Sequence, residues 1–78
     1  MITSEQIRSA RAALDWSIEQ LAAATAISSR TIMRMEATAG VPSSTKANLN
    51  AIKTALEAAG IEFIGTPDDR PGIRINTK

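Results

Sequence analysis

Apolar positions recur with a helical period along the first three quarters of the chain. In the segments 4–14, 29–37 and 44–59 they fall on one face at intervals of three and four residues, and the segment 18–25 carries an adjacent apolar pair. These positions are Ile7, Ala10, Leu14, Leu21, Ala22, Ile32, Met35, Leu49, Ile52, Leu56 and Ala59. The pattern predicts four amphipathic helices.

Capping residues stand where three of these helices should begin. Thr3 is followed by Gln6 and Ser17 by Gln20, the spacing of a capping box, and Ser28 can cap the third segment alone. The residue before each cap and the fourth helical residue are apolar, as in a hydrophobic staple. The pairs are Ile2 with Ile7, Trp16 with Leu21, and Ile27 with Ile32.

The residues after the long fourth helix follow a different pattern. Residues 38–42 should form a loop before that helix, and Gly60 should end it. Residues 61–64 and 73–75 are typical of two short strands, joined by turn residues over 65–72. A two-stranded ribbon is marginal alone, so it must pack on the helices or pair with another chain.

Size and composition restrict how the chain can be stabilised and what it can do. With 78 residues and no Cys or His, it has room for one small domain, without disulfides or the common zinc sites. We therefore expect no metal or cofactor, and stabilisation by homodimerisation. No apolar run approaches a membrane span and the N-terminus lacks signal-peptide features, so we expect a soluble, cytoplasmic protein. No catalytic constellation is present, and we expect no enzyme activity.

Positive charge is concentrated in the middle of the chain, although the formal net charge is only +1. Arg30, Arg34, Lys46 and Lys53 lie between residues 26 and 53, where the only acid is Glu36. An acidic stretch follows over residues 57–69. A basic middle suits contact with a polyanion, and a solvated surface is the ordinary alternative.

The second and third segments have the spacing of a helix-turn-helix, because about three residues separate them. We therefore predict a mainly α fold: a compact four- to five-helix bundle containing a helix-turn-helix (residues 1–60), with a short C-terminal β-ribbon (61–78) that serves in dimerisation. In this motif the second helix lies in the major groove. Its outer face would carry Arg30 and Arg34, which can each donate two hydrogen bonds to guanine, and Met33, which can touch a thymine methyl.

The run from Trp16 to Glu36, WSIEQLAAATAISSRTIMRME, resembles the phage-repressor and Cro-like (Xre-type) helix-turn-helix family, and the likeness extends from the first helix to about Ala59. It implies that Arg11 pairs with Glu36. The base contacts that it implies are Ser28, Ser29, Arg30 and Arg34, and the phosphate contacts are Thr31, Thr38, Ser43 and Lys46. The chain departs from the family at Ile18, usually a phosphate-binding Gln, at Ala26, usually Gly, and at Thr25, usually apolar.

Two functions follow as hypotheses. The first is a repressor-like transcriptional regulator that binds double-stranded DNA as a homodimer at an inverted repeat. The alternative is a protein-interaction module, such as an anti-activator or antitoxin-like partner of a regulatory protein, because Ile18 replaces the phosphate anchor; the acidic stretch and the ribbon would then be its contact surface. The dimer would form through strand 61–64 or 73–75, or through the long helix.

Overall fold

The computed structural model describes residues 1–76, so Thr77 and Lys78 of the predicted C-terminal tail lie outside the described residues. Four helices precede a β-hairpin. They are α1 (Ser4–Leu14), α2 (Ile18–Thr25), α3 (Ser29–Glu36), α4 (Lys46–Ala58), β1 (Ile61–Thr66) and β2 (Asp69–Ile75). The predicted bounds of α1 and α2 are confirmed, and α3 ends one residue earlier than predicted.

Hydroxyl groups fix the beginning of each helix. The hydroxyls of Thr3 and Ser17 accept hydrogen bonds from the third helical residue, and both predicted capping boxes are complete. Ser28 caps α3 in the same way, without the reciprocal bond. Thr45 has extended backbone (ψ 154°), and its hydroxyl accepts from the Asn48 amide at 3.1 Å. Since Thr45 is the cap, α4 begins two residues later than predicted.

The core combines residues from every helix with the first residue of the ribbon. Its buried apolar members are Ile2, Ile7, Ala10, Leu21, Ile32, Met35, Leu49, Ile52, Leu56 and Ile61. The predicted apolar faces therefore point inward, with Leu14 and Ala22 partly buried against this cluster. Trp16 and Ile27 also pack there, as expected of staple residues.

The β-ribbon packs on the helices of its own chain. β1 lies against α4 and β2 lies against α1. The side-chain amide of Gln6 donates to the carbonyls of Ile64 at 3.0 Å and Gly72 at 2.8 Å. Phe63 and Ile73, opposite each other in the antiparallel register, pack against the core. The ribbon thus covers apolar surface that α1 and α4 alone would expose.

The turn of the ribbon is shorter than the predicted segment 65–72. The strands extend to Thr66 and from Asp69, with a register irregularity between Ile64 and Thr66. Gly65 lies in this irregularity at φ +75°, where a Cβ would stand 2.7 Å from the Asp69 carbonyl oxygen. Only glycine can adopt this positive φ without strain and also avoid a clash with the opposite backbone. Turn-forming residues at 69–72 were therefore misassigned, because pairing with β1 outweighs their local preference.

The prediction of a mainly α, four- to five-helix bundle is wrong. Residues 1–76 form four helices and a two-stranded antiparallel sheet, a small mixed α/β fold. Residues 37–45 form no fifth helix. The sheet contributes to the core, because Ile61 of β1 is buried there. The predicted C-terminal ribbon is confirmed as an element. Among residues 1–76, no helix is long and apolar enough to cross a membrane.

Candidate nucleic-acid interface

Helix α3 has two sides of different character. Ile32, Met35 and Glu36 are buried against the rest of the molecule. Arg30, Met33 and Arg34 face solvent, with Met33 52 % exposed. The side of α3 that was predicted to face DNA is therefore accessible over its length.

The turn between α2 and α3 is held by local hydrogen bonds. Ala26 adopts the left-handed conformation (φ 60°, ψ 22°) and its amide donates to the Ala22 carbonyl at 2.8 Å. The Thr25 hydroxyl donates to the Leu21 carbonyl at 2.8 Å and accepts from the Ile27 amide at 3.3 Å. A polar residue at position 25 thus has a role in this turn. Ala26 occupies the positive-φ position at which glycine is usual in the family.

An ion pair fixes α3 to α1. The Arg11 guanidinium donates two hydrogen bonds of 2.9 Å to the carboxylate of Glu36, as the family resemblance implied, and a third to the Trp16 carbonyl at 2.9 Å. The Glu36 side chain is 6 % exposed and that of Arg11 24 %. The hydrogen bond with Glu36 raises the pKa of Arg11. The pair is a structural contact on the side of α3 away from solvent.

Two further residues of α1 bind the carboxyl end of α3, and sequence reasoning missed both. The Arg8 guanidinium donates to the carbonyls of Glu36 and Thr38, and the Ser4 hydroxyl donates to the Met35 carbonyl at 2.6 Å. They satisfy carbonyls that a helix end leaves without intrahelical partners. The signal was present: Ser4, Arg8 and Arg11 recur at helical spacing on one face of α1.

The four residues that were predicted to contact bases lie at the start and on the outer face of α3. Ser28, Arg30 and Arg34 are exposed and Ser29 is half-buried. The Ser28 hydroxyl already serves as the helix cap and donates to the Thr31 hydroxyl at 2.9 Å. Within residues 1–76 neither arginine pairs with a carboxylate. Their guanidinium groups therefore remain available for an anionic or hydrogen-bonding ligand.

The four predicted phosphate contacts are spread over three elements. Thr31 lies in α3, Thr38 and Ser43 lie in the following loop, and Lys46 begins α4. The Thr38 hydroxyl is already engaged, since it donates to the Met35 carbonyl at 3.2 Å and lies 3.0 Å from the Ser4 hydroxyl. Ser43 and Lys46 are exposed. α4 packs on α1 and α2, so Lys46 stands on an element apart from the arginines.

The beginning of α2 differs from a phosphate-binding helix end. Ile18 is partly buried and packs against the core, so its side chain offers no hydrogen-bond donor. The next residue, Glu19, is exposed and acidic. Any contact from this end of α2 to a phosphate would have to come from backbone amides, from Ser17 or from the side-chain nitrogen of the exposed Gln20.

In the part of the chain that the structure describes, no group of three or more acidic side chains is placed to hold a metal ion. Comparison with family models and with curated proteins finds no match to this chain.

Proposed function

We propose that the protein is a sequence-specific regulator of transcription that binds double-stranded DNA through the outer face of α3. The observation that supports this most is the pair of exposed arginines, Arg30 and Arg34, on a short helix fixed from behind. They stand one turn apart, about 6 Å along the helix axis. Arginine in this setting can donate two hydrogen bonds to the O6 and N7 atoms of guanine.

Rigid support of α3 favours this function. Arg11 and Arg8 hold the carboxyl end of the helix, while the Ser28 cap fixes its beginning. Side chains on a supported helix lose less conformational freedom when they bind than side chains on a loop. The basic outer face would dock into the electronegative major groove, and its affinity would fall as salt rises.

A homodimer is part of the proposal because the dimensions of the chain suit two adjacent half-sites. The Cα atoms of one copy extend over 29 × 28 × 19 Å. Major grooves on the same side of B-DNA recur at about 34 Å, so two copies placed side by side can each present α3 to one groove. Two-fold symmetry of the pair predicts an operator that is an inverted repeat.

Selection of bound sites from a random duplex pool, followed by mobility-shift titration, tests the proposal. Arg34→Ala should weaken binding to the selected site by about 1–3 kcal/mol and relax the preference at one base pair. Arg74→Ala is the matched control, because Arg74 is an exposed arginine of β2 outside the α3 face. An unenriched pool at low salt, or equal losses from the two variants, contradicts the proposal.

The second candidate is a protein-interaction module built on the same motif. It is favoured by the beginning of α2, where Ile18 packs inward and Glu19 is exposed. In the DNA-binding arrangement, this carboxylate would lie near the phosphates of the DNA backbone. A purified regulatory protein that forms a stoichiometric complex with the chain, combined with no retardation of any duplex at low salt, would support this function over DNA binding.

A further inference from the structure

A pocket of about 150 Å³ opens beside the first two turns of α4, on elements other than the face of α3. It is lined by Met1, Ile2, Lys46, Leu49, Asn50 and Lys53. Ile2 and Leu49 are only 3 % and 4 % exposed and provide buried apolar surface. Lys46, Asn50 and Lys53 are exposed. The pocket thus joins an apolar wall to a polar, positively charged opening.

Its two lysines lack neutralising partners. Lys46 and Lys53 are seven residues apart on α4, two turns along the same side of the helix. Within residues 1–76 neither forms an ion pair, although Glu57 follows Lys53 at a spacing that often permits one. No acidic side chain lines the pocket. About 10 Å along the helix axis separates the two residues, close to the Debye length at physiological salt, so their mutual repulsion is weak and the attraction of each for an anion at the pocket is the larger effect.

The volume sets the size of an occupant. An apolar cavity of about 150 Å³ accommodates a benzene ring. A nucleotide or a long acyl chain would exceed this space. Small-molecule sites typically combine an apolar lining with a few polar groups that fix orientation, which is the composition found here.

We propose that this pocket binds a small organic anion, a monocarboxylate whose apolar body has about six or seven carbon atoms. The apolar body would contact the exposed Met1 side chain above the base that Ile2 and Leu49 form, and the carboxylate would accept hydrogen bonds from the ammonium groups of Lys46 and Lys53. Lys46 is also one of the predicted phosphate contacts, but the pocket does not depend on the proposed DNA function, since it is tested without DNA.

Backbone amide chemical shifts of the isotopically labelled chain provide the test, at fixed pH and ionic strength. The probes share one ring and differ in charge: benzoate, benzyl alcohol and benzylamine. Benzoate should cause saturable shifts centred on the lining residues and bind more tightly than the alcohol, and benzylamine should not saturate. Shifts from benzoate that are scattered and do not saturate, or equal binding of acid and alcohol, overturn the proposal.

Variants separate the pocket from general attraction of anions to the protein. Lys46→Ala and Lys53→Ala should each weaken benzoate binding about two- to fivefold, the range for exposed charge pairs. Asn50→Trp should block the opening and abolish binding while leaving the core residues in place. Arg74→Ala removes an exposed cation of β2 outside the pocket and should leave binding unchanged. Wild-type affinity in both lysine variants, or in a folded Asn50→Trp protein, contradicts the proposal.

Discussion

Glycine in place of Ala26 should stabilise the protein, although glycine usually weakens a helical region. Ala26 ends α2 at φ 60° and is exposed, so its methyl group contributes little packing. The left-handed conformation costs an L-residue about 1–2 kcal/mol, which glycine avoids. Against this, glycine gives the unfolded chain about 0.4–1 kcal/mol of additional conformational entropy. The difference is a stabilisation of about 0.5–1 kcal/mol.

Ala23→Gly is the matched control. Ala23 is also exposed, but it lies inside α2 with helical backbone. Both substitutions remove one exposed methyl group and have the same effect on the unfolded chain. In the helix interior, glycine should lower the free energy of unfolding by about 0.8–1 kcal/mol. The free energies of unfolding of the two variants should therefore differ by about 1.3–2 kcal/mol, a difference that measures the strain of the backbone at position 26.

Urea unfolding measures both values. Trp16 is the only tryptophan and packs against the core, so its fluorescence should report loss of tertiary structure. Circular dichroism reports the helices. The midpoint should rise for Ala26→Gly and fall for Ala23→Gly, with the slope against urea unchanged. Equal losses of stability in the two variants would refute the reasoning, because residue 26 would then carry no left-handed strain.

Three further predictions concern the ion pair behind α3, the carboxylate in the first turn of α1 and the bulge in the ribbon. Arg11→Met should lower the free energy of unfolding by about 3 kcal/mol, because it leaves the buried Glu36 carboxylate without its cation. Adding Glu36→Leu to this variant should restore much of the lost stability, as measured by urea unfolding. The pKa of Glu5 is lowered by the hydrogen bonds that its carboxylate accepts from the Glu5 and Gly40 backbone amides. Its carboxylate therefore contributes stability that is lost as pH falls below about 4.3 towards the lower folded pKa, and Glu5→Gln should flatten that part of the stability profile. Gly65→Ala should destabilise the protein by more than about 2 kcal/mol in thermal unfolding, and an unchanged midpoint would show that the bulge tolerates a side chain.

The helices were predictable because their signals are local. Each cap and its partner lie three residues apart, as for Thr3 with Gln6 and Ser17 with Gln20, and the structure contains both pairs. The helical period also placed Arg30 and Arg34 on the exposed side of α3. Whether these arginines contact DNA stays a prediction, because helical periodicity indicates which side chains are exposed and does not identify what they bind.

The mixed fold and the support of α3 were not predictable in the same way, because they depend on contacts between distant residues. Gln6 was assigned to its capping box through its side-chain oxygen, and nothing local indicates that its nitrogen reaches the ribbon. Helical spacing places Arg8 on the same face of α1 as Arg11, but its acceptors are backbone carbonyls, which carry no sequence signature. A period of two predicted the second strand, and only the tertiary structure shows that Ile61 of the first belongs to the core.

The bond between Gln6 and Gly72 has a consequence for biosynthesis. Its two residues are separated by 66 positions, so the first helix cannot complete its packing until the hairpin has been translated. At about 5–20 residues per second, a ribosome needs roughly 3–13 s to cover that distance. During this interval the apolar surface that the ribbon later covers is accessible to chaperones and to other nascent chains.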